Sequence, residues 1–160
     1  MICLVRCDDR LIHGQCMTRV VKEYDIQDII VVDDYTAGEP MLKKIFQMAV
    51  PREMNANVYT AEESYSVISK AMSSPRRTLV LMKSPEVMVK LVDGVKGMPM
   101  ELDIGPMSAR EGATTLTPYA HLMPNELAAV KKLTEENVHV YLKQLPTEAT
   151  TELKDLKNKI

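Results

Sequence analysis

Apolar residues recur along this chain at two intervals, and the two alternate. Strand-like runs at Ile2 to Cys7, Ile29 to Val32, Asn57 to Thr60, Thr78 to Met82, Glu101 to Ile104 and Val138 to Leu142 predict strands. Between them apolar positions fall at helical spacing. Met17, Val20, Val21 and Tyr24 follow the first run; Leu42, Ile45, Phe46 and Ala49 follow Pro40; Ala61, Tyr65, Ile68 and Met72 form a third stripe. Met88, Leu91, Val92 and Val95 follow Ser84-Pro85, Leu127, Val130 and Leu133 follow Pro124, and Leu153, Leu156 and Ile160 make a short terminal stripe. Strands alternating with helices predict an α/β fold. The expected architecture is a single domain over residues 1–160, an open, twisted, mainly parallel β-sheet with helices on both faces. No repeat, linker or low-complexity segment interrupts it.

Composition narrows the function. The 160 residues suffice for one well-buried core, roughly 70% of the unfolded surface. A formal charge of −2 provides no basic field for nucleic acid or anionic lipid, so neither is expected as a direct partner. No charged-then-apolar leader opens the chain and no run is long enough to span a bilayer, so a cytoplasmic protein is expected. Cys3, Cys7 and Cys16 form neither a metal spacing nor a disulfide framework and read as small packed residues. Cys16 lies near a helix start, where a thiol can ionise more easily. The twelve methionines suit cores and adaptable contact surfaces alike.

Right-handed crossovers bring the loops that follow parallel strands to one edge of the sheet, where ligands bind. On that edge the loop Asp8-Asp9-Arg10-Leu11-Ile12-His13-Gly14-Gln15 carries the most chemistry. A neutral imidazole has one free lone pair that can attack phosphorus. Arg10 offers a planar fork of donors to phosphate oxygens, and Gly14 allows close backbone approach. A helix start there would add N–H groups and a favourable dipole. On the residues alone, an ordinary surface histidine is an equal alternative. Asp33-Asp34 could hold Mg²⁺, but metal binding is not expected, since an aspartate there can equally cap the following helix or orient an arginine. One of Asp8 and Asp9 is expected to fix the loop or Arg10. The loop Gly105 to Gly112 reads as a structural turn, and His121 and His139 as surface or strand residues without a neighbouring arginine.

The Asp8 to Gln15 segment, with Thr18-Arg19, Ile29 to Asp34, Ala49-Val50-Pro51 and the Gly105 to Gly112 loop, resembles the IIB component of the mannose/fructose/sorbose family of the bacterial sugar phosphotransferase system. The likeness runs through nearly the whole chain. It implies that His13 accepts a phosphoryl group on Nδ1 from a phosphorylated IIA protein and passes it to a sugar held by membrane-embedded IIC and IID partners, at the inner face of the cell membrane. Arg10 would act with His13, with Asp9, Gly14 and Gln15 in support. Met17, Asp34 and Met107 are the candidates for rim or partner contacts, although Met17 also fits the core stripe of its helix. No metal and no cofactor are expected, and homo-oligomerisation is left open. Cys16, Val20 and Gly105-Pro106 stand where family members often carry Val, Trp and Gly-Gly, which bears on subgroup and substrate. Among hexoses and amino sugars the resemblance leans towards N-acetylgalactosamine. Two other readings keep the same residues: a histidine-nucleophile phosphohydrolase, and a non-catalytic regulatory module.

Overall fold

All five residues of the strand Thr78–Met82 are buried, the signature of a strand covered on both faces. In this computed structural model, which describes every residue except Gln15 and Cys16, the elements run in chain order as follows. They are β1 (Ile2–Cys7), α1 (Gly14–Glu23), β2 (Asp28–Val32), α2 (Asp34–Ala37), α3 (Pro40–Met48), β3 (Asn55–Tyr59), α4 (Ala61–Met72) and β4 (Thr78–Met82). Then come α5 (Pro85–Gly94), β5 (Glu101–Ile104), β6 (Thr114–Thr117), β7 (Ala120–Leu122), α6 (Pro124–Glu135), β8 (His139–Leu142), β9 (Thr151–Glu152) and a 3-10 segment, Leu153–Lys159. Prolines occupy the first turn of α3, α5 and α6, where the missing N–H costs nothing. Thr60 and Glu63 cap α4 reciprocally.

The main sheet has the order β3-β2-β4-β1-β5-β8-β9, parallel throughout except for the short β9, which runs antiparallel to β8. Strand parity divides the core in two. Leu4, Ile29, Val31, Leu79 and Leu81 pack with Met17 and Val20 of α1 and with Phe46 of α3. Val5, Cys7, Ile30, Val32, Val80 and Met82 face the other way, onto Ile68 of α4, Met88 and Leu91 of α5 and Val130 and Leu133 of α6. The chain leaves β1 towards β2 and leaves β4 towards β5, in opposite directions, so α1 and α5 lie on opposite faces. The carboxyl ends of β4, β1 and β5 therefore frame the crevice in which such sheets bind ligands.

The expected α/β architecture is the observed one. Four features were not expected. The β6–β7 hairpin forms a second sheet, α2 is a single helical turn, β9 adds an edge strand, and the terminal stripe is 3-10 rather than α-helical. No helix among the described residues is long and apolar enough to cross a membrane.

Candidate functional site: a histidine backed by a buried carboxylate

The loop between β1 and α1 begins as a continuation of the ladder: the Asp8 N–H donates to the Met82 carbonyl at 2.9 Å. It then turns sharply. The Leu11 N–H donates back to the Asp8 carbonyl at 2.9 Å, and Leu11 adopts φ 57°, a conformation a branched side chain rarely takes. Burial of that side chain against the α1 side of the sheet holds it there. His13 ends the loop as the N-cap of α1, with extended backbone (φ −153°, ψ 152°) and a side chain that does not cap the helix. Its ring is free for other work.

That ring meets Asp8. His13 Nε2 lies 2.9 Å from Asp8 Oδ2, while Asp8 Oδ1 accepts the Arg10 N–H at 3.0 Å. An ionised carboxylate only accepts, so Nε2 carries the proton and Nδ1 keeps its lone pair. The Asp8 side chain is 2% exposed and that of His13 18%, which puts the carboxylate behind the imidazole and the imidazole at the surface. No acidic residue occupies the first turn of α1, so nothing there opposes an anion at the positive end of the helix. Gly14 takes φ 27° with open space where a Cβ would sit, so its role is in the backbone.

Asp9 does different work from its neighbour. Its N–H donates to the Pro106 carbonyl at 3.2 Å and its Oδ2 accepts the Ser108 N–H at 2.6 Å, which clamps the loop after β5 against the loop after β1. Arg10 is exposed, and its guanidinium forms no ion pair with a carboxylate among the described residues. Gln15 and Cys16 lie outside the described residues. Of the other thiols, Cys7 is fully buried 3.6 Å from the Met107 sulfur, and burial pushes it well above its ordinary value, away from the thiolate a nucleophile needs. Cys3 is half-buried on β1.

Two rim candidates, Met107 and Met17, are corrected. Met107 is fully buried, because the β6–β7 hairpin folds over it: its N–H donates to the Tyr119 carbonyl and its own carbonyl accepts the His121 N–H. Met17 is buried between α1 and the sheet and belongs to the core. Asp34 is exposed but lies beyond β4 from His13, accepting the Ala61 N–H at 2.8 Å with Lys90 Nζ 3.6 Å away. Asp33 caps α2 through Thr36, as the capping reading expects. His121 pairs with Thr115 and His139 with Glu152. In the Gly105 to Gly112 loop Arg110 is bound to the buried Glu126.

Asp8 fixes the loop through the Arg10 N–H, as expected of one of the two aspartates, but its contact with His13 was not anticipated from the sequence. The signal was strand parity: continuing β1 by one residue puts Asp8 in phase with Leu4 and Arg6, on the face where α1 packs, and puts Asp9 on the other. The arrangement pairs Nε2 of a partly exposed imidazole with a buried carboxylate and places an exposed arginine in the same loop.

The sequence model of the PTS system sorbose subfamily IIB component matches residues 2–160. The chain is 31% identical over 154 residues to the fructose-specific EIIB component of Bacillus subtilis, covering 93% of this chain and 91% of that protein. It is 29% identical over 161 residues to the mannose-specific EIIAB component of Escherichia coli, covering 100% of this chain and 49% of that protein, so it spans about half the length of this relative. Among solved structures, the IIB domain of the sorbose permease from Klebsiella pneumoniae superposes with a TM-score of 0.89 at 27% identity, covering 99% of this chain and 96% of that one.

Proposed function

The chain belongs to the sorbose subfamily of phosphotransferase-system IIB components, and on that premise we propose that residues 1–160 are a IIB domain that carries a phosphoryl group on His13 Nδ1. The observation that supports this most is the 2.9 Å contact between His13 Nε2 and Asp8 Oδ2. It holds the proton on Nε2, so the lone pair of Nδ1 faces outward. In the first transfer the Nδ1 lone pair attacks phosphorus, and the bond from phosphorus to the histidine of a phosphorylated IIA protein breaks. The Nε2 proton stays in place, shared with Asp8, which offsets the positive charge that develops on the ring. Arg10 draws the equatorial phosphoryl oxygens with its bidentate fork. In the second transfer a sugar hydroxyl attacks phosphorus, the P–Nδ1 bond returns its electrons to nitrogen, and the hydroxyl proton leaves to solvent. The sugar is held by membrane IIC and IID partners, and the domain works at the cytoplasmic face.

The substrate is a hexose or amino sugar, with N-acetylgalactosamine the first to try in a panel beside fructose, sorbose and mannose. The test of the carrier reading is direct. Incubated with phosphoenolpyruvate, the two general phosphotransferase proteins and a matching IIA, the protein should gain one acid-labile phosphoryl group, and ³¹P–¹⁵N coupling should assign it to His13 Nδ1. His13→Ala should gain none and Cys16→Ala should label normally. Full labelling of His13→Ala, with loss in Cys16→Ala or His121→Ala, sinks the assignment. Steady phosphate release without a sugar acceptor marks a phosphohydrolase instead.

A further inference from the structure

Behind the loop that carries His13 lies a buried ion pair that the proposed chemistry does not use. Arg6 and Asp103, on the adjacent strands β1 and β5, have side chains 2% and 3% exposed, with Arg6 Nη1 2.5 Å from Asp103 Oδ2. The same guanidinium donates from Nη1 to the Lys143 carbonyl at 2.9 Å and from Nη2 to the Gln144 carbonyl at 2.6 Å, just past the end of β8. Acceptors on two elements thus fix its plane.

Stability is a poor reason to keep this pair. Desolvating two charges commonly cancels their attraction, and an apolar pair of like volume often folds as well or better. Here Asp103 Oδ1 is also buried without a hydrogen-bond partner among the described residues, and burial pushes the Asp103 carboxyl up to about 6 in spite of Arg6.

What the guanidinium touches points to another role. A Cβ on Gly105 would lie 2.6 Å from Arg6 Cζ and 2.9 Å from Nε, so the backbone at Gly105 rests directly on the Arg6 head. Gly105 begins the segment whose Pro106 carbonyl and Ser108 N–H clamp Asp9, and its own N–H donates to the Cys7 carbonyl at 2.8 Å. Asp8, which holds His13, sits between these two anchor points.

We infer that Arg6 is a positioning residue: fixed by Asp103 and the Lys143 and Gln144 carbonyls, it is the floor under Gly105 that sets the height of the 105–108 segment and, through Asp9, the alignment of Asp8 with His13. Its effect on transfer rests on the carrier role proposed for His13; its effect on the ring does not.

The test pairs two readouts in the full chain. Arg6→Met/Asp103→Leu removes both charges together and Gly105→Ala raises the floor while keeping the pair. Imidazole ¹⁵N shifts report the tautomer of His13 without any phosphoryl donor, and labelling by phosphorylated IIA reports transfer. For the double variant we expect a folded protein with an unchanged or raised melting temperature, a His13 ring that samples both tautomers, and transfer slowed at least tenfold. For Gly105→Ala we expect the same tautomer change. A folded double variant with the native tautomer overturns the inference, and so does a native tautomer in Gly105→Ala should the double variant not fold. If wild-type His13 takes no phosphoryl group while the tautomer still shifts in these variants, the carrier reading fails and the positioning role stands.

Discussion

Two Asp-Asp pairs end two strands of the same parallel sheet, and they are put to unlike use. Asp33 and Asp34 follow β2, and both carboxylates hold backbone starts: Asp33 caps α2 through the Thr36 N–H and hydroxyl, and Asp34 accepts the N–H of Ala61 at the start of α4. Asp8 and Asp9 follow β1; one locks a histidine ring and the other clamps a neighbouring loop. Residue type is identical, so placement decides. Asp33 is itself the N-cap of the next helix, whereas residues 8–13 intervene between β1 and α1 and turn back through the left-handed backbone of Leu11. The loop after β1 also lies between the ends of β4 and β5, with α1 and α5 on opposite faces of the sheet, so its carboxylates find loops to bind rather than only a helix to cap.

The sharpest break in this contrast would come from removing the ground on which the first pair stands. Met107, in the segment that Asp9 clamps, is fully buried, and Met107→Asp would put a carboxylate into the core. We expect a loss of more than about 4 kcal/mol, read as loss of the cooperative unfolding transition. A folded, stable Met107→Asp protein would contradict the buried packing. Next comes Asp8→Asn, where the amide can donate to Nε2 and favour the wrong tautomer. Labelling should slow about a hundredfold to a thousandfold with little change in melting temperature, and near-native rates would remove Asp8 from the site.

A fifth carboxylate, Asp103, sharpens the comparison through pH. Its value near 6 in the fold exceeds the ordinary 3.8, so between these values the native state keeps a proton that the unfolded chain has lost. That contribution to stability is complete below about pH 4 and is lost as pH rises through 6. Asp103→Asn cannot ionise, so from pH 4 to 7 it should gain on the wild type by up to about 3 kcal/mol in denaturant titrations. A gain in the opposite direction would show that attraction to Arg6 outweighs desolvation. The smallest effect belongs to the second Asp pair: Asp33→Ala should cost about 1–2 kcal/mol of stability through the lost cap, with phosphoryl labelling unchanged.

The parallel core was legible because β1, β2, β4 and β8 carry clustered apolar residues, as strands covered on both faces do, whereas β5 holds only Leu102 and Ile104 among charged residues. The β6–β7 hairpin was not: Thr114-Thr115-Leu116-Thr117 and Ala120-His121-Leu122 are too short to establish an alternation, and they order by covering Met107. That cover also explains the error at Met107, where Pro106 and the flanking glycines suggest an open loop. In the candidate site, His13, Arg10 and Gly14 were visible as chemistry, while the division of labour between Asp8 and Asp9 depended on how far the β1 ladder continues. Sequence ended that strand at Cys7; the Asp8 N–H extends it by one bond to Met82.

The left-handed backbone at Leu11 also restricts how the loop can drift by mutation. Glycine, the usual occupant of such a conformation, would relieve roughly 1–2 kcal/mol of backbone strain but forfeit a side chain that is 2% exposed, a loss of about 2–5 kcal/mol. Alanine would keep the strain and lose the packing. The neighbouring sequences are thus less fit on both counts or on the larger one, and the hairpin turn in front of His13 sits in a narrow mutational valley although residue 11 touches no phosphate.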